Sequence, residues 1–153
     1  MAFRTLIMTV VAAGLVLAAP AAHAGIAIDL NAIEAIESGG DPNAVNVATG
    51  CYGICQISQI CLQDYNQFHG TRYAVKDLFR PEINERIARW YFQRIEQMLI
   101  HSRIPVTLTT VIASYNWGIG NVAEWARQGM RFEDLPAETR RYIGKYRALT
   151  RPA

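Results

Sequence analysis

Leu30-Asn31-Ala32-Ile33-Glu34-Ala35-Ile36-Glu37-Ser38-Gly39-Gly40 is the stretch on which the reading of this chain turns. Leu30, Ile33, Ile36 and Glu37 fall at helical spacing, and Ser38-Gly39-Gly40 stops the helix. Glu37 therefore continues the apolar stripe of Leu30 and Ile33, and is expected to face a core or a cleft. A carboxylate in such a place is costly unless it is hydrogen-bonded, ion-paired or protonated. Partial desolvation raises its pKa, which is what a general acid near neutral pH requires. On the helical pattern alone, an outward-curling side chain or a plain ion pair is the stronger reading. Glu34, on the preceding turn, is the expected solvent-side control.

The flanking chain reads as mostly helix. Asp41-Pro42-Asn43 makes a turn. Residues 44–57 alternate Val45, Val47, Tyr52, Ile54 and Ile57 with glycines and polar breaks, which suits a short, irregular β-hairpin. Ser58 is placed to cap a helix with Cys61, Tyr65 and Phe68 on one side. Residues 70–80 read as a loop. Pro81 opens the strongest helix, with a stripe of Ile83, Ile87, Tyr91, Ile95 and Met98 and with Arg86, Arg89 and Arg94 off it. Pro105 is expected to open the next helix, through Leu108, Val111, Ile112 and Tyr115, and Gly118 and Gly120 to break it. Val122–Arg127 adds a turn or two around Trp125. Pro136 opens a last helix with Thr139, Tyr142, Tyr146 and Leu149 on one face. The expected fold class is a single α+β domain, mostly helical, with about six helices and a small β-hairpin.

The 153 residues are 51% hydrophobic and 18% charged, with a formal net charge of +2. That length argues for one domain, and the near-neutral balance against a nucleic-acid binder. Met1–Arg4, the apolar run Thr5–Pro20 and the box Ala22-His23-Ala24 before Gly25 form the three regions of a secretory signal peptide. The run is short for a spanning helix. Cleavage after Ala24 would leave residues 25–153 as the mature domain, and membrane attachment only through an uncleaved leader. Of the 15 basic residues 13 are Arg, and the closing Arg140, Arg141, Lys145, Arg147 and Arg151 read first as a solvated helix face. Cys51, Cys55 and Cys61 would allow one disulfide in an oxidising compartment, with the pair left open. Three cysteines without a fourth ligand make zinc a poor reading, and no His-plus-carboxylate set is visible to activate a thiol. No cofactor and no metal are expected.

Two further segments are rich in chemistry. Gly53-Ile54-Cys55-Gln56-Ile57 sets a long amide inside an apolar run. Ser114-Tyr115-Asn116-Trp117-Gly118 ends an apolar helix with hydroxyl, amide and aromatic groups together. Amides and rings near a carboxylate suit a sugar, although each segment alone reads as core packing or a helix cap.

Taken in order, Glu37-Ser38-Gly39-Gly40, Gly53-x-x-Gln56-Ile57, Ser114-Tyr115-Asn116-x-Gly118 and Leu135-Pro136-x-Glu138-Thr139-x-x-Tyr142-Ile143-x-Lys145 form a series. The series resembles the soluble lytic transglycosylase family (the SLT domain), bacterial cell-wall enzymes with a lysozyme-like catalytic domain, over about residues 30–148. The resemblance implies cleavage of the β-1,4 bond between N-acetylmuramic acid and N-acetylglucosamine, with a 1,6-anhydromuramyl product. It implies Glu37 as the lone catalytic acid and then base. It implies Ser38, Gln56, Tyr115, Asn116 and Tyr142 as substrate-binding residues, with Tyr115 holding the Glu37 carboxyl. It also implies peptidoglycan glycan strands as partner, a periplasmic location in a Gram-negative bacterium, and a monomer. A secretion or pilus assembly as partner is suggested by the resemblance only. Ile54-Cys55 stands where the family commonly has Leu-Met, Ser114 where it usually has Ala, and Ser58 where it has Pro. A lysozyme-like hydrolase and a non-enzymatic wall-binding protein are the alternatives.

Overall fold

Pro81 starts the longest helix because its fixed φ suits the first helical position and its missing N–H costs nothing there. A computed structural model describes residues 25–151 and gives this helix as Pro81–His101. Ile83, Ile87, Ile95 and Leu99 are all buried on it, each burial stabilising by about 2 kcal/mol. Arg86, Arg89 and Arg94 point out, as their positions off the stripe require. The expected leader, residues 1–24, lies outside the described residues.

In chain order the helices are α1 (Leu30–Glu37), α2 (Gln59–His69), α3 (Pro81–His101), α4 (Leu108–Trp117), α5 (Ile119–Arg127) and α6 (Ala137–Leu149). α3 packs against α2, α4 and α5, while α6 lies against α1 and α4. The fold is a single, mostly helical α+β domain. Among the described residues no helix is long and apolar enough to cross a membrane.

Where a hairpin was expected there are three two-residue strands: β1 (Val45–Asn46), β2 (Cys51–Tyr52) and β3 (Ile57–Ser58), in antiparallel order. Val45 pairs with Tyr52, and Cys51 with Ser58. The third strand forms because Gly53 turns the chain at φ 77° and sends Ile57 back beside Tyr52. Ser58 then caps α2, its Oγ accepting from Cys61 N–H.

Four other expectations shift. Residues 75–79 form a 3₁₀ turn inside the expected loop, because the Asp77 carboxylate accepts from Ala74 N–H. α4 begins at Leu108 rather than beside Pro105: Thr107 and Thr110 cap each other's backbone N–H groups. Gly118, at φ 92°, separates α4 from α5, but Gly120 lies within α5. Phe68 and Leu149 are mostly exposed, off the faces assigned to them.

One buried amide holds the loop between β2 and β3 to α3. Asn84 is fully buried, its Oδ1 accepting from Cys55 N–H at 3.0 Å. Its Nδ2 donates to the carbonyls of Tyr52 (2.9 Å) and Leu78 (2.8 Å). Gly53 comes so close that a Cβ would collide with the Leu78 carbonyl and the Asn84 amide. Asn84→Ala would take this partner from two buried backbone groups, Cys55 N–H and the Leu78 carbonyl, and from the part-buried Tyr52 carbonyl. It is expected to lower the unfolding free energy by about 3 kcal/mol, read from the urea midpoint. Asn31→Ala, on an exposed face, is expected to move it by less than about 0.5 kcal/mol.

Candidate active site

Glu37 is the last residue of α1, and the packing of α1 on α6 brings Tyr142 onto it. Tyr142 Oη donates to Glu37 Oε1 at 2.7 Å. Burial pushes the Glu37 carboxyl up from its ordinary range, and the Tyr142 hydrogen bond draws it back down in part. The Tyr142 hydroxyl is itself driven far up, first by burial and then by the Glu37 charge, so it remains a donor. The carboxyl thus has a fixed orientation and a raised affinity for a proton. Glu34 is half-buried and also raised, by burial first and then by Glu85, so it is a weaker solvent control than its position suggested.

A cleft of about 320 Å³ opens over Glu37, with Gln56, Tyr115 and Asn116 in its walls alongside Asn46, Thr49 and Tyr91. A second hollow of about 320 Å³ shares Glu37, Asn116 and Glu138 and continues past Tyr142 to Arg141 and Lys145. Glu37 therefore stands mid-way along one groove, amide- and hydroxyl-walled on one side and basic on the other. Five of the six expected site residues touch this groove. Among the described residues no group of three His, Cys, Asp or Glu side chains is placed to hold a metal.

Three of the expected contacts are different in kind. Ser38 Oγ donates to the carbonyl of Ile54 at 2.8 Å and also contacts Glu34 O, so it fastens the end of α1 to the β2–β3 loop. The Ser38 hydroxyl is engaged by backbone because it caps a helix end that packs directly on that loop. Tyr115 does not hold Glu37: its Oη donates to the Cys55 carbonyl at 2.7 Å, while its ring stacks on Phe92 at 4.4 Å. Tyr142, from α6, occupies the donor position on Glu37 instead. Gln56 sits in the left-handed region at φ 51°, where a non-glycine residue costs about 1 kcal/mol. Its Nε2 donates to the carbonyls of Ala44 (3.2 Å) and Gly53 (3.0 Å), which fixes that turn and leaves its Oε1 as the free acceptor.

The disulfide that the three cysteines would allow is not formed: Cys51, Cys55 and Cys61 are all free thiols. Cys55 is completely buried, its thiol pushed far up by burial, and Cys61 is pushed up to about 12 for the same reason. Neither is a nucleophile at neutral pH.

Residues 26–136 match the family described as the Transglycosylase SLT domain. The chain belongs to that family. No curated protein and no solved structure matches it. Membership supports a lytic transglycosylase-like function on peptidoglycan. The matched residues include Glu37, Gln56, Tyr115 and Asn116 and stop short of Tyr142, which its hydrogen bond to Glu37 ties to the site.

Sequence reasoning missed Asn84, which lay unremarked beside the apolar stripe of α3. A fully polar side chain next to Ile83 at the start of a helix was the available signal. It also missed that Arg141 and Lys145 end on the groove rather than on a plain solvated face.

The shift of Glu37 carries a linkage consequence. Its folded pKa lies above the unfolded value of about 4.3, so ionisation opposes folding. That cost is absent below the unfolded pKa and grows as pH rises through the folded one. Glu37→Gln keeps an acceptor for Tyr142 and has no charge to bury. It is expected to raise Tm at pH 7 and leave it unchanged at pH 3, by calorimetry at both. Tyr142→Phe removes the interaction that lowers the Glu37 pKa, so the carboxyl should titrate at higher pH, followed by carboxyl-carbon NMR.

Proposed function

We propose that this SLT-domain protein is a peptidoglycan lytic transglycosylase in which Glu37 performs both proton transfers. The observation that carries the reading is the half-buried Glu37 carboxyl, raised in pKa and oriented by Tyr142, at the middle of a polar groove. Protonated, Glu37 gives its proton to the glycosidic oxygen of the leaving N-acetylglucosamine. Ionised, it takes the proton of the muramyl C6 hydroxyl, whose oxygen then bonds to C1 and closes the 1,6-anhydro ring. The attacking group belongs to the substrate, so proximity replaces an activated water, with effective molarities on the order of 10⁵ M or more. Tyr142 donates to Glu37 in its ionised form and stabilises the mid-cycle carboxylate.

The remaining groups bind. Gln56 Oε1 accepts an N–H, as of an N-acetyl group, while Asn116 offers both a donor and an acceptor beside Glu37. Tyr115 holds the Cys55 carbonyl and so shapes the wall instead of reacting. Export to the periplasm of a Gram-negative bacterium, action as a monomer, and service to a secretion or pilus assembly belong to the same proposal. The series of motifs and the leader-like N-terminus support them.

One observation favours a second reading. Glu138 also lines both halves of the groove, exposed in the first turn of α6. An ordinary glycosidase needs two carboxylates, and Glu138 is the residue that would serve as the second.

Mass analysis of digests of purified peptidoglycan separates the readings. Muropeptides lighter by one water than their reducing-end counterparts are expected. Glu37→Gln should lose activity by at least about 10²-fold, and Glu138→Gln should keep the same products within a small factor. Reducing-end products, lost in both variants, would establish the hydrolase. Wild-type digestion by Glu37→Gln would remove Glu37 from the chemistry.

A further inference from the structure

The chain enters α1 through a strap, residues 25–29, bonded to two helices. Ile26 N–H donates to Glu96 Oε1 of α3 at 2.7 Å, and Asp29 N–H donates to Tyr146 Oη of α6 at 2.9 Å. Glu96 is 8% exposed on the inner side of α3, far from the solvated positions where acids usually sit. The chemistry at Glu37 makes no use of it. Among the described residues, the ion pairs formed by Lys, Arg and His side chains do not include Glu96. Its Oε1 is taken by Ile26. Its Oε2 faces the backbone of Gly25: a Cβ built there would lie 3.0 Å from Oε2 and 3.6 Å from Oε1. A hollow of about 260 Å³ opens at this point, with Gly25, Ile26, Arg89, Phe92, Gln93 and Glu96 in its lining. The Arg89 guanidinium is directed to Glu85, at 3.7 Å, and the Asp29 carboxylate accepts from Asn31 N–H.

A buried carboxylate without a cation is a costly thing for a fold to keep. The sequence places a small-residue cleavage box directly before the residue whose backbone touches it. We propose that Glu96 is the seat of the processed N-terminus: cleavage after Ala24 creates a Gly25 α-ammonium that pairs with Glu96 Oε2. A protease of the signal-peptidase class adds water across the Ala24–Gly25 bond. The carboxylate stays on Ala24, and the new amine takes up a proton as ammonium. Before cleavage the same position holds a neutral amide, and the strap gives Glu96 one neutral donor, Ile26 N–H. After cleavage a charge-assisted bond joins the strap to α3, one turn of chain before the helix that carries Glu37. Glycine at position 25 has a reason in this arrangement, because a Cβ there would crowd Oε2 at 3.0 Å.

The test reads the amine itself and is independent of any enzymatic activity. The full chain is expressed in an exporting bacterial host, and the released product is purified. Its N-terminal residue, by mass spectrometry, is expected to be Gly25. Lys76 and Lys145, both exposed, are the only lysines and serve as internal references. Acylating esters react with the free-base amine, and an ion pair keeps the α-amine protonated above its ordinary pKa of about 7.7–8.0. At pH 7 the Gly25 amine should be labelled about tenfold more slowly than in Glu96→Gln, the equivalent of one unit of pKa. Glu96→Gln retains an oxygen for Ile26 N–H. Should it fail to fold, Gly25→Ser crowds Oε2 and is expected to speed labelling in the same way. An N-terminus at another residue, or equal labelling rates in the native protein and the variant, overturns the proposal.

Discussion

A single hydrogen bond, from Tyr142 Oη to Glu37 Oε1, joins two helices whose residues lie 105 positions apart in the chain. The packing of α6 on α1 makes it possible, and it lies where the two halves of the groove meet. The bond also settles a conflict of forces. Desolvation favours the neutral carboxyl, and the phenol favours the charged one. Desolvation is the larger of the two, so the net shift is upward, and the restraint on it comes from the other helix.

Much of this was legible in the sequence, for a local reason. The end of α1 at Ser38-Gly39-Gly40, the Ser58 cap and the stripe of α3 each follow from residues within a few turns of one another. The errors share the opposite character. Gly120 reads as a breaker, but Gly118 had already turned the chain and α5 gains enough from burying Val122 and Trp125 to tolerate a glycine in its first turn. Tyr115 reads as the partner of Glu37 because motif order does not reveal which ring arrives from which side. The stack on Phe92 directs its hydroxyl to the Cys55 carbonyl instead. Asn84 is invisible to periodicity because its partners, Tyr52, Cys55 and Leu78, lie on other segments.

The motif residues turn out to divide their labour. Ser38, Gln56 and Tyr115 each spend hydrogen bonds on the one loop that runs from β2 to β3. Asn84 holds the same loop from behind. Four side chains, those of Ser38 after α1, Gln56 in the loop itself, Tyr115 on α4 and Asn84 on α3, thus converge on the four residues Gly53–Gln56. A segment so short has no core of its own and carries a left-handed non-glycine residue, so its shape must be imposed from outside. The sequence shows these residues as a set with a shared purpose. It does not show that three of them are bonded to that loop, while Glu37, Asn116 and one oxygen of Gln56 are left open to the cleft.

The departures at Ile54-Cys55 and Ser58 are accommodated by this arrangement. Cys55 contributes its backbone to the site: its N–H is bound by Asn84 and its carbonyl by Tyr115, while its thiol is buried with no partner to react with. Any apolar side chain of similar volume would serve there, because the bonds that matter belong to the main chain. Ser58 replaces a proline at a helix entrance with a hydroxyl that caps Cys61 N–H, exchanging a fixed φ for a satisfied donor. Neither change reaches the carboxyl of Glu37 or its bond to Tyr142. The change at Cys55 therefore lies where the fold reads backbone, while Glu37, Gln56, Tyr115 and Asn116 of the family series all line the cleft.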